Sequence, residues 1–145
     1  MVYTYILGRT RFFRRKDRVF LWYTNIYSLY RFGLTKDDKM ERIAFIDLGS
    51  NSVRFVIYEI SDTGSYRLIY QEKNSIRLSE NMWGNHKLTE PAMNRALVSL
   101  QSYVHMAKAL EVNSIKAVAT AAVRLAKNGD EFIETVKRET ELDLE

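Results

Sequence analysis

The 145-residue sequence contains no cysteine, one proline and two histidines. Without cysteine there is no disulfide framework, no thiolate nucleophile and no Cys-ligated zinc or iron–sulfur centre, and a reducing, cytoplasmic setting is expected. His86 and His105 stand far apart and outside any ligand-spaced motif, which argues against a histidine metal site. Long apolar runs are missing as well. No charge-free stretch exceeds 12 residues, and the one at residues 19–30 is well short of the ~20 that a membrane span requires. It contains Thr24, Asn25 and Ser28, so it lacks the clean apolar block and small-residue cleavage site of a signal peptide. Internal repeats and low-complexity tracts are absent too.

What is present is unevenly distributed. The formal net charge is +4, yet residues 1–39 hold nine basic and three acidic side chains, which leaves residues 40–145 at net −2. Ten of the 18 aromatic residues also fall within 1–39. The composition therefore divides the chain at Met40. Residues 1–39 form a basic, aromatic leader, expected to be disordered or foreign to the native protein, with Met40 as the alternative start. Arg9, Arg11, Arg14, Arg15, Lys16 and Arg18, with Phe12 and Phe13 among them, have the chemistry to hold phosphates and stack on bases. An amphipathic helix on a membrane surface is the other reading of the leader. No chemistry is assigned to it, and with a mildly acidic body nucleic-acid binding is not expected.

The body, residues 40–145, begins with a short apolar run at 42–48, a turn at 49–52 and a β-branched, aromatic run at 53–60 whose two parities are both apolar, as in a strand buried on two faces. A second turn at 61–65 leads to a third strand at 66–78, which completes an antiparallel meander. Beyond a polar loop with Trp83, Gly84 and Asn85, Thr89 stands as an N-cap with Glu90 and Pro91 in the first helical turn. Met93, Leu97, Leu100, Val104, Ala107 and Leu110 then recur at helical spacing, with His105 on the opposite, solvated face. Residues 115–120 read as a fourth strand and 130–140 as a helix that buries Phe132, Ile133 and Val136. Residues 142–145 look like the start of another strand. The sum is an α/β layer arrangement: a meander, then parallel strands with helices packed on the sheet.

The densest polar cluster is Asp47-Leu48-Gly49-Ser50-Asn51-Ser52-Val53-Arg54. A tight turn between two strands aims successive backbone amides into one concavity, and Gly49 is free to take positive φ and admit an anion to the main chain. Ser50, Asn51 and Ser52 add neutral donors, and Arg54 offers a planar fork for phosphate oxygens. Asp47 supplies one carboxylate able to hold Mg²⁺ through water. The same residue types also favour an ordinary hairpin turn, so composition alone leaves both readings open.

This octapeptide resembles the first phosphate-binding loop of the exopolyphosphatase and guanosine pentaphosphatase family, whose fold belongs with actin and the sugar kinases. A second block, Ala119-Thr120-Ala121-Ala122-Val123-Arg124-Leu125-Ala126-Lys127-Asn128-Gly129 with Phe132, resembles the family's A-T-x-A-x-R-x-A-x-N-G-x-x-F stretch, with Val123 where leucine is commoner. Arg77-Leu78 and Leu88-Thr89-Glu90 fit between them, so the resemblance covers 40–145 and none of the leader. It implies an incomplete actin-like (ribonuclease H-like) domain. It also implies Mg²⁺-dependent hydrolysis of the terminal phosphate of inorganic polyphosphate or guanosine pentaphosphate. By resemblance Asp47, Gly49, Ser50, Asn51 and Ser52 line the phosphate loop and Arg124 is the cationic contact in the cleft, whereas Arg54 is added on chemistry alone.

In the family the water-activating glutamate lies in a Ser-Gly-x-Glu-Glu-Ala segment directly after the strand that begins here at Leu142. That segment is not among the 145 residues, so the chain by itself is expected to be nearly inactive. The resemblance further implies a homodimer for the full-length protein. Two alternatives stay open: a non-catalytic phosphate-binding or regulatory module, and a kinase or ATPase of the same superfamily.

Overall fold

The computed structural model describes residues 3–7, 10–15 and 18–21 by their backbone, and 40–145 apart from Trp83. The side chains of the leader's basic run, residues 22–39 and Trp83 lie outside the described residues, and with them most of the charge-free stretch and the phosphate-holding reading; the leader's described residues are strands rather than the amphipathic helix of the other reading. Two compact units, Met1–Leu34 and Thr35–Glu145, make up the chain. In the first, β1 (Tyr3–Leu7), β2 (Thr10–Arg15) and β3 (Arg18–Leu21) pair as an antiparallel meander.

The second unit carries β4 (Met40–Leu48), β5 (Ser52–Ser61), β6 (Tyr66–Ser75), α1 (Glu90–Ala109), β7 (Ser114–Ala119), α2 (Ala121–Leu125) and α3 (Gly129–Thr140). The sheet order is β6-β5-β4-β7, antiparallel through the hairpins and parallel between β4 and β7. The return from β4 to β7 by way of α1 places the last strand beside the first. Leu144 forms a parallel bridge to Ala117, and the Glu145 amide donates to the Ala117 carbonyl at 3.0 Å. Residues 142–145 thus join the sheet beyond β7, as their pattern predicts.

Alternation along each strand sends one set of side chains under α1. Ala44, Ile46 and Leu48 of β4, Val53, Phe55 and Ile57 of β5, and Ala117 and Ala119 of β7 are buried there. The opposite face of β5 is only half covered among the described residues: Arg54, Val56 and Ile60 are partly exposed. The expectation of a strand buried equally on both faces is corrected to that extent.

Thr89 caps α1, its hydroxyl accepting from the Ala92 amide at 3.4 Å, and Pro91 occupies the first turn as the sequence predicts. The buried stripe, however, is Ala92, Ala96, Leu100, Tyr103, Val104 and Ala107, whereas Met93, Leu97 and Leu110 are only partly buried. Ala92, Ala96 and Ala107 share this stripe with Leu100, Tyr103 and Val104, and Met93, Leu97 and Leu110 flank it. Tyr103 stacks on Phe55, centroids 4.7 Å apart and planes 12° from parallel. His105 is exposed, as expected. On α3, Phe132 and Val136 are buried with Gly129 and Thr140, but Ile133 only half so.

The end of the sheet away from the 49–52 turn is held by one buried carboxylate. Glu59 is 6% exposed, and it accepts from Arg42 Nε at 3.2 Å and from Arg67 Nε at 2.8 Å. Arg42 also donates from Nη1 to the Leu110 carbonyl at 2.7 Å, placing a cation at the C-terminus of α1. Burial pushes the Glu59 carboxyl pKa up, but hydrogen bonds and charge from Arg42 and Arg67 outweigh it and hold the group below the ordinary 4.5.

Two outcomes follow. A depressed folded-state pKa contributes stability that is complete above about pH 4.5, the unfolded value, and drains away as pH falls through the folded value. Glu59→Gln should therefore flatten the acid limb of the stability profile and cost about 1–2 kcal/mol at neutral pH in denaturant titrations. The Tyr103 hydroxyl is buried without a hydrogen-bond partner among the described residues. Burial first, then the charge of Glu72 and of the neighbouring Tyr70, push its pKa up to about 12 against a smaller lowering by the Asn74 backbone, which leaves the O–H itself without an acceptor. Because Tyr103→Phe removes an unmet donor while keeping the ring stack, the melting temperature should hold or rise; a fall of several degrees would show that the hydroxyl is bonded.

Candidate active site

β4 and β5 are joined by only three residues, Gly49, Ser50 and Asn51. The Gly49 amide closes the turn by donating to the Ser52 carbonyl at 3.0 Å. Gly49 is not in the left-handed region, contrary to the expectation that positive φ is its purpose. Its reason is space: a Cβ there would stand 2.9 Å from the Ser52 carbonyl oxygen, so any side chain would force the turn open.

The turn is gripped from two sides. On the β6 side, the amides of Ile76 and Arg77 both donate to the Asn51 carbonyl at 2.9 Å, and the Ser79 amide donates to the Ser50 carbonyl at 3.0 Å. These bonds, with Arg77 at φ 47°, end β6 at Ser75. They correct the expected strand over 66–78: Ile76 and Leu78 are buried, but they belong to a loop that clasps the turn. A trans peptide sets each carbonyl opposite the amide that follows it. With the carbonyls of Ser50 and Asn51 drawn toward residues 76–79, the amides of Asn51 and Ser52 face the other way.

On that other side lies the second block. Leu48 and Ala119 are register partners in the parallel β4–β7 pair, so the chain leaves both strands at the same edge of the sheet. Thr120 fastens the two exits. Its amide and its hydroxyl both donate to the Leu48 carbonyl, at 3.0 and 3.1 Å, and its Oγ1 lies 4.0 Å from where a Gly49 Cβ would be. The chain then turns directly into α2, a short helix absent from the sequence reading, and one turn on the Arg124 amide reaches back to the Thr120 carbonyl at 3.4 Å. Arg124 is exposed. The first turn and the Arg124 block are therefore neighbours at the carboxyl ends of two parallel strands, where open α/β sheets form their ligand crevices.

Asp47 and Arg54 are directly opposite one another across β4 and β5. Both alternate to the face away from α1, Asp47 exposed and Arg54 partly so. Among the described residues no group of three His, Cys, Asp or Glu side chains is placed to hold a metal ion. Asp47 thus offers a single carboxylate, which suits a cation that keeps its water and takes its other ligands from substrate phosphates.

Two roles were hidden in the sequence. Asn128 reads there as punctuation before a helix. In the structure its Oδ1 accepts from the Leu88 amide at 2.8 Å and its Nδ2 donates to the Leu88 carbonyl at 3.0 Å, pinning the entrance of α1 to the second block. Gly129 follows because a Cβ there would collide with the Val123 carbonyl, which lets α3 start against α2. Thr120, read as one letter of a motif, is the joint of the site; only pairing of distant strands reveals it.

The chain is similar to known proteins in sequence and fold. Residues 56–145 match the Ppx/GppA phosphatase family, a span that contains Arg124 and starts just after the 47–54 cluster. A guanosine-5'-triphosphate,3'-diphosphate pyrophosphatase of Pseudoalteromonas atlantica is 34% identical over 110 residues, 76% of this chain and 21% of the relative. The crystal structure of the Aquifex aeolicus Ppx/GppA family member superposes with a TM-score of 0.71 at 36% identity, over 74% of this chain and 35% of that one. An exopolyphosphatase from Cytophaga hutchinsonii gives 0.69 at 30% identity, over 72% and 33%. The chain spans about a fifth of the curated relative's length and about a third of the solved ones. The mixed four-strand sheet with its helices is thus part of the actin-like fold that the resemblance implies, and the chain belongs to the Ppx/GppA phosphatase family.

Proposed function

We propose that this chain supplies the phosphate-holding half of a hydrolase that removes the terminal phosphate of inorganic polyphosphate or guanosine pentaphosphate. The observation that carries the reading is the double donation from Thr120 to the Leu48 carbonyl, which sets the 49–52 turn beside the Arg124 block. In this arrangement the amides of Asn51 and Ser52 and the hydroxyls of Ser50 and Ser52 hold the oxygens of the terminal phosphate. Arg124 offsets the negative charge that spreads over those oxygens as the bridging bond breaks. Arg54 is a lower-ranked contact, opposite Asp47 on the neighbouring strand.

Asp47 would hold Mg²⁺ through a water molecule, and the cation would supply neutralisation of part of the phosphate charge. Phosphoryl hydrolysis depends mostly on positioning and charge neutralisation, and it also needs a group to orient the attacking water. That group, the glutamate expected after the strand at 142–145, is not among these residues. The functional unit in this proposal works in a cytoplasmic setting. Among the described residues no helix is long and apolar enough to cross a membrane. Membership of a phosphatase family supports hydrolysis over the kinase alternative.

Phosphate-release time courses on the 145-residue chain, with polyphosphate or guanosine pentaphosphate and Mg²⁺, should show little turnover, while pyrophosphate binds measurably by calorimetry. Arg124→Gln should weaken that binding about tenfold, the worth of one charge-assisted hydrogen bond. Turnover near the rate of a complete enzyme, or no phosphate binding at all, would contradict the reading.

A further inference from the structure

Arg124 is an exposed cation carried by α2, a helix of only five residues. A helix so short has too few internal bonds to hold its own direction. Its aim is therefore set by whatever grips its ends and its inner side. At the start Thr120 ties the chain to Leu48, and on the inner side Ala122 and Val123 are buried. Beyond the far end three hydrogen bonds reach across to residues 86–88. The Lys127 amide donates to the His86 carbonyl at 2.8 Å, the Leu88 amide donates to Asn128 Oδ1 at 2.8 Å, and Asn128 Nδ2 donates to the Leu88 carbonyl at 3.0 Å.

Two of these three bonds belong to one side chain. A carboxamide presents its acceptor and its donor in one plane, and the two backbone groups of Leu88 meet both, so the clamp fixes tilt as well as distance. Leu88 is a firm reference, because it is 3% exposed and directly precedes Thr89, the cap of α1. Little slack separates the clamp from Arg124. The Ala126 amide donates to the Val123 carbonyl at 3.2 Å, and the Gly129 amide donates to the Ala126 carbonyl at 3.0 Å. A Gly129 Cβ would collide with that same Val123 carbonyl, so the segment from Val123 to Gly129 is folded tightly on itself.

We infer that Asn128 is a positioning residue for Arg124: by holding both backbone groups of Leu88, its carboxamide fixes the end of α2 and so aims the guanidinium at the phosphate in the 49–52 turn. This role presupposes the phosphate-holding reading of Arg124 and adds to it a residue that touches no substrate. The clamp is specific to its chemistry. Aspartate has the same shape and still accepts from the Leu88 amide, but when ionised it sets a charged oxygen against the Leu88 carbonyl, where Asn128 donates. Protonation puts a donor back at that place, so the defect of an aspartate should fade as pH falls.

The test is calorimetric titration with pyrophosphate of the 145-residue chain, its Asn128→Asp variant and its Glu59→Gln variant, with thermal melts of all three. Glu59→Gln serves as a loss of stability at the far end of the sheet. Asn128→Asp should bind about three- to tenfold more weakly than the parent at about pH 7. The gap should narrow as pH falls toward about 5, and Glu59→Gln should bind like the parent. In NMR of the parent, the Asn128 side-chain amide should shift along the same pyrophosphate saturation curve as Arg124 Nε–H. An Asn128→Asp chain that melts lower yet binds like the parent, or whose deficit matches that of Glu59→Gln or ignores pH, would reduce Asn128 to a stabilising residue and leave the phosphate turn standing. An Asn128 amide that stays still while the Arg124 signal moves would overturn the role without any variant. Failure of the parent to bind pyrophosphate would remove the phosphate turn and this role together.

Discussion

The carbonyl of Leu48 is the joint on which the site depends. It stands at the last residue of β4 and accepts both the amide and the hydroxyl of Thr120, the first residue beyond β7. A carbonyl has two lone pairs, and here one side chain and its own backbone fill both. The joint works because β4 and β7 are parallel neighbours in register, so their exits share one edge of the sheet. An antiparallel neighbour would have sent Thr120 and its arginine to the opposite end. The parallel pair in turn requires the α1 crossover.

The rest of the unit keeps this edge in place. Glu59, gripped by Arg42 and Arg67, fixes the far end of the sheet, and the Arg42 bond to Leu110 ties the end of α1 to the same point. At the near end Asn128 holds both backbone groups of Leu88, one residue before the cap of α1. The crossover helix is thus fastened at entry and exit by polar side chains that reach across more than 35 positions of sequence. Each such side chain is satisfied by fixed backbone groups or by charge, which makes it a constraint on geometry as much as a source of stability.

Much of this was legible in the sequence, and the parts that were not have a common cause. Strand alternation, the Thr89-Glu90-Pro91 start of α1 and the Phe132/Val136 face of α3 follow from local rules, and they stand in the structure. Leu100, Val104 and Ala107 of the expected helical stripe are buried, but Ala92, Ala96 and Tyr103 take the places expected of Met93, Leu97 and Leu110, because alanine reads as weakly apolar in sequence. The strand over 66–78 was drawn too long because apolar Ile76 and Leu78 continue the pattern; what ends it is the bond from the Arg77 amide to Asn51, which no local pattern encodes. Gly49 does not use positive φ; a tight contact with Ser52 is what excludes a side chain there. The roles of Thr120 and Asn128 rest on partners 72 and 40 residues away, distances at which sequence shows only that a motif exists.

The central claim is that two segments distant in sequence form one anion site because a single carbonyl joins them. Amide and arginine side-chain NMR signals of the 145-residue chain, followed during addition of pyrophosphate, address it most directly. Movement of the Asn51 and Ser52 amides and the Arg124 Nε–H along one saturation curve is the expected result, with Thr120→Val uncoupling the two sets. Independent curves in the parent protein, or movement of Arg124 with the turn unmoved, would contradict it.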